Sequence, residues 1–136
     1  MKINPYLSFN GNCKEAFEFY AQSLGGKIVF IMTNGESPMA AQTPPDQLGR
    51  IMHVTMMVGD QTLAGADAPP QYFSVTHGMC VSLDIADPAE AERVYAALSE
   101  GGQIQMAIQE TFWAQRFAMF RDRFGIPWMI NCSKPM

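Results

Sequence analysis

The stretch KEAFEFYAQSLGGKI at residues 14–28 recurs, much altered, as AEAERVYAALSEGGQI at residues 89–104. Each copy has apolar residues at helical spacing, followed by a pair of glycines and then by an extended segment. The two copies lie about half a chain apart, which is too far for the repeat unit of a solenoid. The repeat therefore predicts two similar half-modules, whose sheets would enclose a cleft between them.

The first half-module, residues 1–67, has the pattern of a strand, a helix and three further strands. The side chain of Asn12 is placed to cap the helix, and Gly25 supplies a left-handed stop. We predict strands at residues 3–9, 27–33, 51–58 and 61–66, the last two joined by the turn Gly59-Asp60. The proline-containing segment 34–48 is predicted to be a loop, and its length is typical of lids and binding loops.

The second half-module, residues 76–133, repeats this order. Asp87 is predicted to cap its helix, Pro88 to occupy the first helical position, and Glu90 to reach back to the cap. Strands are predicted at residues 78–85, 103–106, 116–121 and 127–132, with an irregular aromatic segment at 107–115. The predicted fold class is α+β: a single domain, residues 1–136, in which two βαβββ half-modules form a curved, half-open barrel of mixed sheet with an internal cleft.

The amino-acid composition and net charge limit which binding partners and which cellular compartment we expect for this protein. The net charge is -4 and the nine Lys and Arg residues are scattered, so we expect no nucleic-acid partner and no attraction to a membrane surface. No segment approaches the ~20 consecutive apolar residues that span a bilayer, and the first residues lack the apolar core of a signal peptide. Cys13, Cys80 and Cys132 are widely spaced, which favours three buried, reduced thiols in a cytoplasmic protein.

The duplicated strand–helix–three-strand module resembles the vicinal oxygen chelate superfamily, which contains glyoxalase I, extradiol dioxygenases and bleomycin-resistance proteins. Within that superfamily the chain is similar to the PhnB-like group. The stretches that carry the resemblance are Asn4–Cys13, Ile51–His53, Gln109–Ala114 and Asp122–Asn131. Many members of the group carry the name of a demethylubiquinone methyltransferase. A methyl donor such as S-adenosylmethionine usually requires a Gly-rich turn after a parallel strand, and the sequence shows no such turn.

Metal-dependent members of the superfamily hold a divalent ion through His and Glu on inward strand faces. The resemblance places those four positions on Pro5, Met79, Met129 and either Leu63 or Ala64. These side chains are poor ligands for hard or borderline divalent ions, so we predict no metal and no cofactor. A shifted site built from His53 and His77 with Glu110 or Asp67 is the alternative, since a catalytic zinc site needs three protein ligands.

Strand alternation predicts which side chains line the cleft. The predicted inward faces are Pro5, Leu7 and Phe9, then Met79, Val81 and Leu83, then Pro127, Met129 and Asn131, whereas Trp128 has the opposite parity and is predicted to be core. Glu110 and Trp113 lie in the aromatic segment, which would close over a ligand, plug the cleft or form a dimer contact. The predicted ligand-binding residues are Leu7, Phe9, His53, Met79, Glu110, Trp113, Met129 and Asn131.

Three functions are compatible with these patterns. The first is a metal-free homodimer that binds a small apolar or aromatic molecule, as the apolar cleft indicates. The second is an enzyme: a metal-dependent lyase or dioxygenase that uses the shifted site, or a metal-free isomerase that uses Glu110. The third is an interaction module in which the loop around Trp113 only joins subunits. No catalytic residue is assigned, because Glu110 has no identifiable second acid.

Overall fold

The computed structural model describes residues 1–135, which divide into two compact units, Met1–Ser74 and the remainder from Val75 onward. Unit 1 contains β1 (Tyr6–Phe9), α1 (Cys13–Leu24), β2 (Lys27–Thr33), β3 (Ile51–Val58) and β4 (Gln61–Asp67). Unit 2 contains β5 (Val81–Asp84), α2 (Pro88–Ser99), β6 (Gln103–Gln109), β7 (Ala114–Arg121) and β8 (Pro127–Ser133). The α+β class and the duplicated βαβββ order are thus confirmed.

Each unit has one four-stranded mixed sheet. The strand order is β1-β4-β3-β2 in unit 1 and β5-β8-β7-β6 in unit 2. In both sheets the first strand pairs in parallel with the last, and the other pairs are antiparallel. Among residues 1–135, no helix has both the length and the apolar character that crossing a membrane would take.

The core of unit 1 lies between its sheet and α1. The rings of Phe17 and Tyr20 on α1 pack against Phe9 on β1 with centroid separations of 6.0 and 6.5 Å. Gly65 on β4 permits this close packing, because a Cβ there would lie 2.6 Å from the carbonyl oxygen of Leu7 and 2.9 Å from Cε1 of Phe17.

The core of unit 2 is built in the same way beneath α2. Tyr95 on α2 meets Phe120 on β7 edge to face at 5.7 Å, and Phe120 is the cross-strand partner of Trp128. Trp128 is almost fully buried and donates its Nε1–H to Asp122 at 2.8 Å, which confirms the prediction that it is core.

Several predicted details are corrected. The side chain of Asn12 makes no capping hydrogen bond; instead Asp67 accepts from the first amide of α1, that of Cys13. Asp87 does cap α2 through Ala89 N–H at 3.1 Å, but Glu90 pairs with Arg93 rather than with the cap. The segment 107–115 is also less irregular than predicted, since β6 continues to Gln109 and β7 begins at Ala114.

The predicted strand faces are correct for β8 and reversed for β1 and β5. Leu7 and Phe9 face α1, and Val81 and Leu83 are register partners of the buried Trp128 and Ile130, so they share the α2 side. In β1 the apolar side chains of Leu7 and Phe9 share one face, and α1 rather than a cleft covers that face. Met79 precedes β5 in an irregular segment and is 76% exposed, so the predicted start of that strand at residue 78 is wrong.

Candidate functional site

The sheet face of unit 1 that points away from α1 carries a short polar relay. The hydroxyl of Tyr6 and Nδ1 of His53 are 3.0 Å apart, and Nε2 of His53 lies 2.9 Å from Oγ1 of Thr55. The rings of Tyr6 and His53 stack at 5.6 Å, and Phe30 packs beside the imidazole at 5.9 Å. Both ring nitrogens of His53 are therefore engaged by hydroxyl groups, and the imidazole fixes the position of Tyr6.

Burial raises the pKa of the Tyr6 phenol above its ordinary value, and the neighbouring Cys13 raises it further. Tyr6 therefore remains a neutral hydroxyl at physiological pH. It is able to donate or accept one hydrogen bond and carries no charge.

A cleft of about 430 Å³ opens at the end of this sheet, beside Tyr6. This volume is within the usual range for sites that bind small molecules, ~300–1,000 Å³. The residues around the cleft come from β1, from the ends of β3 and β4, and from the loop between β2 and β3: Tyr6, Leu7, Ser8, Asn34, Gln47, Arg50, Met52, Ala66, Asp67, Ala68 and Pro69. We call this set the unit 1 cleft.

The loop that supplies Asn34 and Gln47 is compact. It contains three short 3₁₀ turns, Asn34–Glu36, Ala40–Gln42 and Pro45–Gln47. Its ends are held together by the hydrogen bond from Asn34 N–H to the Arg50 carbonyl and by that from Asn34 Nδ2 to the Gln47 carbonyl, both 2.9 Å long. The prediction of a loop at residues 34–48 is confirmed, and two of its side chains border the cleft.

The two charged residues of the cleft are held differently. Asp67 is buried, and its carboxylate accepts backbone N–H groups from Gly11 at 2.7 Å, Cys13 at 3.1 Å and Ile51 at 2.8 Å. The guanidinium of Arg50 donates through one terminal nitrogen, Nη2, to the Asn10 side-chain oxygen at 2.9 Å and to the Ala68 carbonyl. Asp67 is thereby committed to the backbone, whereas Arg50 is anchored at one nitrogen only.

The face of the unit 2 sheet that points away from α2 is aromatic and rich in methionine. Trp113 packs edge-on against Phe117 at 5.1 Å and donates its Nε1–H to the side-chain oxygen of Asn131 at 3.2 Å. Asn131 is the register partner of Phe117, and Met129 is the partner of Met119. Of the predicted site residues, Trp113, Met129 and Asn131 thus share one sheet face.

The other predicted residues are dispersed. His53 belongs to the relay that holds Tyr6, and Leu7 borders the unit 1 cleft although it faces α1. Phe9 is core, and Met79 is exposed outside any strand. Glu110 forms an ion pair with Lys134 at 2.9 Å, and this contact lowers the pKa of the carboxyl group. Whether these residues bind a ligand stays a prediction.

The positions that correspond to superfamily metal ligands do not fit a divalent ion. Pro5, Leu63, Ala64, Met79 and Met129 offer no imidazole or carboxylate. Within either unit, the part of the chain that the structure describes contains no cluster of three His, Cys, Asp or Glu side chains suited to a metal. His53 has both nitrogens hydrogen bonded in unit 1, and His77 is exposed in the segment before β5.

Several residues of the unit 1 cleft are not indicated by the sequence pattern. The predicted parity of β1 places Tyr6 and Ser8 on the opposite face, and Arg50 is one of nine scattered cations. One sequence signal does point to Arg50. It is the last residue of the long loop before β3, where the two ends of the loop converge.

A family model described as 3-demethylubiquinone-9 3-methyltransferase matches residues 1–131 of the chain. The chain belongs to this family, the PhnB-like group. Protein YjdN of Escherichia coli (strain K12) is 34% identical over 142 aligned residues, which cover 98% of this chain and 97% of YjdN.

Two solved structures are similar in fold to this chain. Protein PA1353 from Pseudomonas aeruginosa is 45% identical, covers 99% of both chains and superposes with a TM-score of 0.91. A protein from Bacillus cereus described as a putative 3-demethylubiquinone-9 3-methyltransferase, PhnB protein, is 23% identical, with a TM-score of 0.81 over 98% of this chain and 100% of that one. The second likeness concerns the fold alone.

The family description names a methyl-transfer reaction. In this PhnB-like chain the turn after the parallel strand β1 is Asn10-Gly11-Asn12, which contains a single glycine. This turn is not the Gly-rich turn that typically binds a methyl donor, and the family description by itself assigns no activity to this chain.

Proposed function

We propose that this PhnB-like protein is a metal-free binding protein for a small apolar or aromatic molecule. The observation that supports the proposal is the unit 1 cleft of about 430 Å³. Its walls include the apolar side chains of Leu7, Met52, Ala66, Ala68 and Pro69.

The energetics favour an apolar occupant. Removal of apolar surface from water contributes about 25 cal/mol per Å² before the costs of association. Met52 lines the cleft at the exposed end of β3, and an unbranched thioether side chain adapts to irregular ligand shapes. The neutral hydroxyl of Tyr6, fixed by His53, supplies one hydrogen bond for orientation.

The experiment uses 2-naphthol and indole as neutral aromatic probes, titrated calorimetrically into the full chain. The wild-type protein is expected to bind one probe molecule per chain. Ala66→Phe fills the cleft and is expected to weaken binding by about tenfold or more, since occupied volume excludes the ligand. Ala41→Phe, at an exposed loop alanine outside the cleft, is the matched control and should bind as the wild type does.

Two results would overturn the proposal. One is absence of binding by both probes, or equal binding by a folded Ala66→Phe variant. The other is stoichiometric zinc, nickel, manganese or iron in protein purified without a histidine tag, with the metal lost in His77→Ala. The second result would favour a metal-dependent enzyme.

We also propose that the protein forms a homodimer through the segment between β6 and β7. Phe112 is 89% exposed there and packs edge-on against Trp113 at 4.8 Å, so two adjacent aromatic rings face outward. Aromatic side chains are enriched at the centres of protein interfaces. Phe112→Ser should yield a monomer in light scattering, whereas Tyr72→Ser, at another exposed aromatic ring, should leave the mass unchanged. A monomeric wild-type protein would contradict this proposal.

Finally, we propose a reducing compartment, the cytoplasm, as the site of action. Cys13, Cys80 and Cys132 are all free thiols; Cys13 and Cys132 are buried as predicted, whereas Cys80 is exposed and that prediction is wrong. An exposed thiol persists where glutathione keeps cysteines reduced. Mass spectrometry of protein alkylated inside intact cells should show free Cys80, and a quantitatively disulfide-bonded Cys80 would contradict the proposal.

A further inference from the structure

The unit 1 cleft contains a cation with unused donors. Arg50 is half-buried, and a guanidinium group has five N–H donors in a rigid plane. Only the Nη2 nitrogen has acceptors within residues 1–135, namely Asn10 and Ala68. The Nε–H and the other terminal nitrogen therefore have no protein acceptor, and no carboxylate forms an ion pair with Arg50 among these residues.

Two further polar side chains of the cleft are uncommitted. The hydroxyl of Ser8 and the side-chain amide of Gln47 form no hydrogen bond within the described part of the chain. Both residues line the same cleft as Arg50, and each can donate to an acceptor. The cleft thus combines apolar walls with three free donors.

The one acidic residue of the cleft does not supply the missing partner. Asp67 uses its carboxylate on three backbone amides, those of Gly11, Cys13 and Ile51. A carboxylate held by several amides is already satisfied in its charged form. The unpaired positive charge in the cleft is therefore that of Arg50.

We propose that the unit 1 cleft selects an apolar or aromatic molecule that carries one carboxylate group. Arg50 donates to the carboxylate from its free terminal nitrogen, Nη1, in a charge-assisted hydrogen bond. Ser8 and Gln47 donate to the remaining lone pairs, and the apolar part of the ligand lies against Met52 and Ala66. One guanidinium balances one negative charge, whereas a phosphate dianion would bring a second charge into the cleft without a cationic partner, so a monoanion is favoured. This inference rests on the ligand-binding function proposed above.

The experiment compares 2-naphthoate with 2-naphthol, which share an aromatic ring system and differ in charge. The wild-type protein is expected to bind 2-naphthoate about tenfold or more tightly, since charge-assisted hydrogen bonds are roughly twice as strong as neutral ones. Arg50→Met should abolish this preference, so that 2-naphthoate binds no more tightly than 2-naphthol. Arg50→Lys should retain part of it, and Arg93→Met, which removes an exposed cation from α2, is the matched control and should retain all of it.

Ser8→Ala and Gln47→Ala test the same subsite and leave the hydrogen bonds of Arg50 to Asn10 and Ala68 in place. They therefore remain informative if Arg50→Met does not fold. Each is expected to weaken 2-naphthoate binding several-fold more than 2-naphthol binding, as the loss of one hydrogen bond to a charged group predicts. Equal affinity of the wild-type protein for both probes would overturn the carboxylate inference and leave the binding function standing. If neither 2-naphthoate nor 2-naphthol binds, both the carboxylate inference and the proposed binding function are overturned.

Discussion

The carboxylate of Asp67 accepts the backbone N–H of Cys13 at 3.1 Å and so joins the end of β4 to the first turn of α1. The same side chain accepts from Ile51 at the start of β3. In unit 2, Asp122 has a related role, since it accepts from the amides of Phe124 and Ile126 and from the indole of Trp128. In both units a buried acid organises backbone that would otherwise leave N–H groups unpaired.

Replacement of Asp67 by alanine is expected to destabilise the protein. Three backbone N–H groups lose their acceptor, and hydrogen bonds to charged groups contribute about 1.5–3 kcal/mol each at most. Because water partly replaces them, we expect the free energy of unfolding to fall by about 3 kcal/mol. Urea denaturation followed by circular dichroism gives this value.

Asp67→Asn should lose less than Asp67→Ala, because the amide retains one acceptor oxygen. Asp60→Ala, in the exposed turn between β3 and β4, is the control and is expected to change stability by less than about 0.5 kcal/mol. A stable Asp67→Ala variant would mean that the three amides are satisfied without the carboxylate.

Gly65 is expected to tolerate no side chain. A Cβ there would lie 2.6 Å from the carbonyl oxygen of Leu7 and 2.9 Å from the ring of Phe17, so β1 or α1 would have to move. Overpacking of this kind costs about 1–3 kcal/mol, and Gly65→Ala should lower the unfolding midpoint accordingly. Gly49→Ala is the matched control, since the Cβ that alanine adds there would meet nothing within 4 Å. Equal midpoints for the two variants would refute the close packing at β4.

The thiol of Cys13 is expected to be inert. Burial raises its pKa far above the ordinary range, and the nearby Asp67 carboxylate raises it further. At pH 8, Ellman's reagent should therefore modify one thiol rapidly in the native protein, the exposed Cys80, and Cys80→Ser should abolish that phase. Rapid modification of Cys13 in the folded chain would contradict the assignment.

The raised pKa of the Cys13 thiol predicts that the stability of the folded protein depends on pH. In the unfolded chain a cysteine thiol ionises at about pH 8.5, whereas the folded protein keeps Cys13 protonated at that pH. The unfolded state then binds fewer protons, so the free energy of unfolding should fall as the pH rises above about 8.5. Cys13→Ala should show a shallower fall than the wild type. An identical dependence of the unfolding free energy on pH in the two proteins would show that groups other than Cys13 determine it.

Glu110 is expected to titrate as half of an exposed ion pair. Its hydrogen bond with Lys134 lowers the pKa of the carboxyl group, so the pair favours the folded state above the ordinary carboxyl pKa and that effect is lost as the pH falls through the lowered value. Lys134→Ala should return the pKa of Glu110 towards its ordinary value in carbon-detected NMR titrations. Lys27→Ala, at the start of β2, is the control and should leave it unchanged.

The fold is predictable because its signals are local and repeated. Helical spacing, the glycine after α1 and the Gly59-Asp60 turn each depend on a few neighbouring residues, and the bounds of β2 and β3 follow from them. The cap of α1 is predicted on Asn12 but is made by Asp67, which is 54 residues from Cys13 in sequence. Such a partner has no local signal.

The candidate site is predictable only in part, and strand parity explains the difference. In β8 the buried Trp128 fixes the parity, so the placement of Met129 and Asn131 on the open face follows correctly. In β1 the apolar parity is that of Leu7 and Phe9, which the prediction assigns to the cleft, whereas α1 covers that face. The pattern of β1 consequently does not single out Tyr6 and Ser8, nor the cleft that Arg50 borders.

The long loop between β2 and β3 has an implication for how relatives diversify. Asn34 and Gln47 reach the cleft from this loop, while its ends are pinned by backbone hydrogen bonds close to Arg50. Loops tolerate replacement far better than the ladders that support them. A relative of this chain would acquire a new ligand preference through substitutions in the loop, between the hydrogen bonds that hold its ends together. The pairing of the strands that support the loop would stay intact.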